Sequence, residues 1–562
     1  MAFAVARSSN GARPHPAPAA FAQQRDVTEF GWRRTLITLA IVTATLLEIV
    51  DVTIVNVALP NIQGNFGASV DQAAWIGTGY IIANVIVIPI TPWLQMRFGR
   101  RQYYVASIAI FLIASVACGL SGTLEQLVFW RIIQGLGGGG LISTSQAILR
   151  ETYTNAEQGK AAGIFSMGVI VGPTLGPALG GFITDQFSWR WAFFVNVLPG
   201  IMAIVIVLLL LRNPQRPMKM PLDYVGLSLL AIGIGGMQYV LDQGQRKDWF
   251  DDSSIVGCAW AAVLGLVSFV VWELRQARPI VNLSVLRHRS VAAGSLLGMV
   301  LGISLYGTVL ILPQYVQGLL GFTATDSGVL LVFRAGTILV LTPIVAMICS
   351  KGKVDPRYFV ASGFIFVGIS NLMLANVTTT GSDFWTFAIP LALSGVGLSQ
   401  LFVPLTLSVL GGIEPREIPG ASAFFNLSRQ VGGSIAIAAL VTILARSNAI
   451  HQTELGSSVS LHRTAVSSFL FGDGGAQSPR AISDLNRLVS NQALVLSFAD
   501  TSRAVAYITL CLAPLAIILK RPVIPMRGGP GGGPAVPAAP LPPPPIGGSP
   551  LAGPAVPVLA RT

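Results

Sequence analysis

Residues 45–60 read TLLEIVDVTIVNVALP, an aliphatic run long enough to lie inside a membrane that nevertheless carries two carboxylates, Glu48 and Asp51. Three residues apart on a helix, the two share a face. A charge at the centre of a bilayer costs between about 2.5 and more than 10 kcal/mol, depending on the reference state, so such residues mark function. Two buried carboxylates side by side point to proton uptake and release.

The rest of the chain supplies the membrane. Its 562 residues are 52% hydrophobic and only 11% charged, and the mean hydropathy is +0.67. These values exclude an ordinary globular domain and imply an all-α polytopic membrane protein. Charge-free runs recur at 72–96, 102–124, 161–184, 191–211, 358–382 and 384–413, and each exceeds the roughly 20 residues that a spanning helix needs. The net charge of +12 does not indicate nucleic acid, because the basic residues sit in short turns between spans. Cys118, Cys258, Cys349 and Cys511 have neither paired nor metal-like spacing. No removable signal peptide is expected, since the first apolar run continues into a multi-spanning pattern.

Hydropathy places fourteen spans, near 35–57, 73–95, 103–122, 126–148, 159–183, 191–211, 223–243, 254–274, 291–313, 326–348, 358–377, 385–410, 418–445 and 502–520. Lys and Arg concentrate in the loops on the N-terminal side, among them 97–101 (RFGRR) and 212–219 (RNPQRPMK), which predicts both termini in the cytoplasm. Residues 1–34 read as a disordered arm and 521–562 as a disordered Pro/Gly-rich tail. The loop at 446–501 is expected to be polar and outside, with a short amphipathic helix around 481–499.

Depth singles out a partner for the carboxylates. A helix rises about 1.5 Å per residue, so Glu48 lies roughly 18 Å and Asp51 roughly 22 Å from the inner face. Arg131, on a span running the other way, falls about 22 Å from the same face. An arginine that keeps its charge, facing carboxylates that can lose theirs, is the basis of a protonation switch. Either carboxylate fits that depth. The fifth span carries Gly168, Gly172, Gly176 and Gly180 at four-residue spacing, with Pro173 and Pro177 beside them. Small residues so placed allow close helix contact and the prolines favour a bend. GLGGGG at 135–140 satisfies GxGxxG but lies in an apolar helix with no preceding strand, so it reads as packing. No HExxH, GxSxG, Walker A or CxxC pattern occurs, so no enzyme centre and no cofactor are expected.

Taken together, the motifs resemble the major facilitator superfamily, and within it the fourteen-span drug:proton antiporters of the EmrB/QacA type. The resemblance covers about 35–520 and rests on VDxTIVNVALP at 50–60, RxxQG at 131–135, GPxxGPxxGG at 172–181, WRWxFxxN at 189–196, LPQYxQ at 312–317, DPR at 355–357 and NxxRQxGGS at 426–434. It implies a major facilitator fold: a six-helix bundle at 35–211, two inserted helices at 212–290 and a second six-helix bundle at 291–520. It further implies alternating access, with Asp51 and Arg131 on the proton pathway and Gly172 and Pro173 in the seam that opens. Glu48 would be an additional carboxylate.

The loop after the second span departs from the family pattern GxLADRxGRR. Arg97, Gly99, Arg100 and Arg101 remain, but Pro92 and Met96 replace the first glycine and the aspartate. A charge lock there must be absent or rebuilt on Asp355 or Glu151. Candidates for substrate contact are Trp75, Tyr80, Tyr306, Phe333, Arg334, Phe402 and Arg429. The leading expectation is proton-driven export of amphipathic organic compounds across a bacterial inner membrane. The alternatives are the membrane subunit of an assembly with a periplasmic adaptor and an outer-membrane channel, or a sensor built on a transporter fold.

Overall fold

The computed structural model describes residues 28–154, 157–212, 223–276, 279–350, 354–411, 413–414, 417–460, 466–467 and 479–518, and among these it is helical throughout with no strand. The first half comprises α1 (Gly31–Phe66), α2 (Val70–Phe98), α3 (Arg100–Leu120), α4 (Leu124–Gly138), α5 (Leu141–Thr152), α6 (Gln158–Gln186), α7 (Trp191–Phe194) and α8 (Val197–Leu210). Then come α9 (Tyr224–Gln243) and α10 (Ser253–Arg275). The second half holds α11 (Arg289–Gly318), α12 (Ala324–Ser350), α13 (Pro356–Val377), α14 (Ala388–Leu410), α15 (Ile418–Ser458) and α16 (Pro479–Leu512).

Among the described residues, 11 helices are long and apolar enough to cross a membrane, or 12 when Gln158–Pro173 and Leu175–Gln186, bent by 45°, form one span. The bend falls at the prolines of α6, as their missing backbone donors require. Two of the fourteen expected spans do not qualify as uninterrupted apolar helices. The fourth is split into α4 and α5 at Gly139 and Gly140. The ninth lies in α11, whose described apolar stretch is Arg289–Leu305.

Two bundles result. In the first, α1 packs on α6 and α8, while α2 and α3 flank α4; in the second, α11 packs on α15, and α14 lies between α12 and α13. The bundles meet where α6 lies along α12 and where α2 and α5 meet α15. The inserted pair α9 and α10 pack on each other, and α9 also rests on α2 and α15. They therefore flank the junction.

Glycine decides how closely several of these helices approach. A Cβ at Gly168 would meet Val42, at Gly172 Ile49, at Gly176 Thr53 and at Gly180 the backbone of Ile54. The four-residue stripe of α6 is thus seated on α1, inside the first bundle. The opposite face of α6 meets α12 through Gly163 against Ala346 and Gly328 against Ala178. In the GLGGGG run, Gly135 and Gly139 press against the α2 backbone at Tyr80 and Asn84, which is the packing role its apolar setting suggests. Gly99 joins α2 to α3 in one residue at φ 86°, a conformation that favours glycine.

The expected loop at 446–501 requires correction. Helix α15 continues to Ser458 and α16 begins at Pro479, so both flanking spans run on as helix beyond their predicted ends. At 41 residues, α15 is about 60 Å long, roughly twice the hydrocarbon thickness. His451 of α15 bonds Asp500 of α16 at 2.8 Å, and Arg503 holds the same carboxylate at 2.9 Å. The expected helix at 481–499 is the first part of α16. The arm and tail, 1–27 and 519–562, lie outside the described residues.

Candidate functional site

Asp51 and Arg131 meet in the interior of the first bundle. Their relative exposures are 0% and 1%, and Arg131 Nη1 donates to Asp51 Oδ2 at 2.5 Å. Two buried ions offset their desolvation only when the remaining lone pairs and protons also find partners. Here they do. Asp51 Oδ1 accepts from Gln134 Nε2 at 2.9 Å and from Asn196 Nδ2 at 3.0 Å. Arg131 Nη1 also donates to Gln134 Oε1 at 2.8 Å, and Nε donates to the Ile76 carbonyl at 3.1 Å. The guanidinium lies over the Tyr80 ring, 4.3 Å from its centroid.

Each member is positioned by its element. One turn of α4 separates Arg131 from Gln134, so both face α1. Asn196 stands in the short link between α7 and α8, where its amide also donates to Ser115 Oγ of α3 at 3.1 Å. Ser115 in turn donates to the Phe193 carbonyl at 2.9 Å. Donors from α4 and from the α7–α8 link therefore converge on the α1 carboxylate, with α2 and α3 holding those donors from behind.

Glu48 is placed elsewhere. Its Oε1 accepts from Asn84 Nδ2 of α2 at 3.0 Å, and its buried Oε2 has no hydrogen-bond partner. Depth alone allowed either carboxylate to face Arg131, but the helical turn directs them differently: Asp51 points to α4 and Glu48 to α2. The carboxylate paired with Arg131 is Asp51, a choice that depth left open and the resemblance favoured.

The other predicted residues divide into groups. Tyr80 belongs to the Arg131 cluster. Trp75 is 40% exposed and stacks on Tyr239 of α9 at 5.6 Å, away from the bundle interior. Phe333 packs against Phe384 and Trp385, whose ring is 67% exposed, so it joins a rim cluster. Phe402 lies between Phe165 and Phe425 at the bundle junction, with centroids 6.3 and 6.4 Å away. Arg334 is fully buried, donates from Nη2 to the Leu305 carbonyl at 3.0 Å, and has Nε and Nη1 unpartnered. Arg429 is buried with Nε unpartnered. The Tyr306 side chain lies outside the described residues.

Of the two carboxylates considered for the altered loop, Glu151 is the one that pairs with Arg100, whose Nε also donates to Gln95 Oε1 at 3.3 Å. Asp355 lies 3.8 Å from Arg357 and caps α13. Arg101 reaches the Leu208 carbonyl. Gln134, Asn196 and Asn426 stand in the quoted motifs at 131–135, 189–196 and 426–434 without a role of their own, and Asn84, Gln146 and Ser422 were not singled out from the sequence. The signal available was their polarity inside otherwise apolar runs.

Two helical bundles of membrane-length helices, with an ion pair sealed in one of them, are the architecture of a polytopic membrane protein. Residues 41–437 match the family model of the Major Facilitator Superfamily. The chain is 36% identical over 508 residues, 90% of its length and 98% of the relative's, to "Multidrug export protein EmrB" of Escherichia coli K12. It is 32% identical over 507 residues, covering 88% and 97%, to "Fatty acid resistance protein FarB" of Neisseria gonorrhoeae. In fold it is similar to the human organic anion transporter MFSD10, with a TM-score of 0.55 at 12% identity over 85% of this chain and 99% of that one. The chain belongs to the major facilitator superfamily and is a multi-pass membrane transporter.

Proposed function

We propose that this transporter exports amphipathic organic compounds in exchange for protons, by alternating access across a bacterial inner membrane with both termini cytoplasmic. The observation that carries the coupling is the Asp51–Arg131 pair with its Gln134 and Asn196 donors. Protonating Asp51 removes the charge that Arg131 holds, so the pair's contribution differs between protonation states and can bias one facing state over the other. The relatives named for multidrug export and fatty acid resistance support an amphipathic cargo. The proton gradient supplies the drive, with no cofactor. Efflux of a fluorescent amphiphile from proteoliposomes under an imposed pH gradient tests the reading. Asp51→Asn is expected to abolish gradient-driven efflux; efflux at the wild-type rate would refute it.

A second reading has its own observation. The joined extensions of α15 and α16 project beyond membrane thickness, as a docking element for a periplasmic adaptor leading to an outer-membrane channel would. Deleting 454–490, which keeps the buried Ala493, Val495 and Phe498 of α16, is expected to leave proteoliposome efflux intact while lowering drug tolerance in cells. Unchanged tolerance would exclude the assembly.

A further inference from the structure

A small cavity lies at the bundle junction, at the end of the molecule where α5 stops and α6 starts. The coupling network does not use it. Its volume is about 30 Å³, and its polar lining comes from Gln146 and Arg150 of α5, Gln158 of α6 and Thr406 of α14, with Phe165 and Leu410 among its apolar walls. A buried water needs roughly 10–15 Å³ on this measure, so the space suits one small polar head.

The lining supplies donors without a matching acceptor. Gln146 is 5% exposed; its Oε1 accepts from Ser422 Oγ and, at 3.2 Å, from Asn426 Nδ2 of the other bundle, while its Nε2 is left unpartnered. Thr406, also 5% exposed, has an unpartnered Oγ1. Among the described residues no carboxylate pairs with Arg150: its neighbour Glu151 is held by Arg100, and Glu157 by Arg34 and Thr154. Gln158 turns its amide to the Arg150 and Tyr153 carbonyls at 2.7 and 3.0 Å, which fixes the α5–α6 corner.

A guanidinium, an amide N–H and a hydroxyl converging on one space match an oxyanion, whose charge-assisted bonds are the stronger kind. Hydrocarbon walls beside them match a chain attached to it. We infer that this cavity binds the head of an anionic amphiphile, a carboxylate- or phosphate-headed hydrocarbon chain. The occupant ties α5 of one bundle to α14 of the other, beside the existing Gln146–Ser422 contact. It therefore favours the arrangement in which these ends touch.

Full-length protein in nanodiscs of phosphatidylcholine alone, titrated with dodecanoate and with dodecyltrimethylammonium, tests this without any proton gradient, so its outcome is separate from that of coupled export. Dodecanoate is expected to bind the wild type about tenfold or more tightly than Arg150→Gln, the scale of one lost charged hydrogen bond. Arg150→Lys should retain part of the affinity, and the cationic surfactant should show no dependence on residue 150. Thr406→Val, nearly unchanged in volume, should weaken dodecanoate several-fold and serves if Arg150→Gln does not fold. Phosphatidylglycerol added to the nanodiscs identifies the source: competition with dodecanoate assigns the site to a lipid phosphate as well, and its absence to free amphiphiles. Equal dodecanoate affinity in wild type, Arg150→Gln and Thr406→Val would overturn the inference, as would equal loss of binding for both surfactants.

Discussion

Asp51 is held inside the bundle by three donors from other elements, Arg131, Gln134 and Asn196, and each can be removed singly. Gln134 both donates to Asp51 and accepts from Arg131. Gln134→Leu should therefore cost about 1–3 kcal/mol of stability, the penalty for stranding a buried polar partner, read as a lowered unfolding midpoint in detergent. Glu48→Gln should behave differently. The substitution keeps an oxygen for Asn84 and leaves the Asp51–Arg131 pair untouched, so gradient-driven efflux should persist; its loss would return Glu48 to the coupling pair. The sequence made Asp51, Glu48 and Arg131 conspicuous because charge in an apolar run is costly. It could not choose between the carboxylates, since the choice depends on which neighbours α2 and α4 present, and that is a property of packing.

At the scale of elements, the glycine stripe of α6 was legible as a close-contact face, but its partner was not. The stripe lies on α1, the helix that carries both carboxylates, so backbone approach there sets the position of Asp51. Gly176→Ala would push a Cβ into Thr53, whereas Gly168→Ala meets the end of Val42 at 3.2 Å and Leu46 at an ordinary 3.8 Å. Overpacking costs typically 1–3 kcal/mol. Gly176→Ala should lose stability in that range and Gly168→Ala markedly less, by thermal unfolding of the two variants side by side. The extension of α16 was legible as the amphipathic helix at 481–499, whereas that of α15 escaped the sequence for a related reason. Hydropathy marks where a helix leaves the membrane, and a polar helix such as 446–458 carries no apolar signal to show that it continues.

For the molecule as a whole, hydropathy marked the spans, because lipid admits few alternatives to a helix, and their grouping into two bundles and an inserted pair came from the family resemblance. The junction between bundles was less accessible: Gln146, Ser422 and Asn426 are small polar residues whose contact spans 276 to 280 positions of sequence. If that contact parts during each cycle, a Gln146→Cys/Ser422→Cys pair should cross-link under oxidation and stop export until reduced. Unimpeded export with the bond formed would show the contact to be static.

The central claim, that export is coupled through Asp51, is tested most directly by proton release from the purified protein when substrate is added, followed with a pH indicator in weakly buffered detergent solution. The account predicts release from the wild type and from Glu48→Gln, and none from Asp51→Asn that is still folded and still binds substrate. Release of equal size from Asp51→Asn would contradict it.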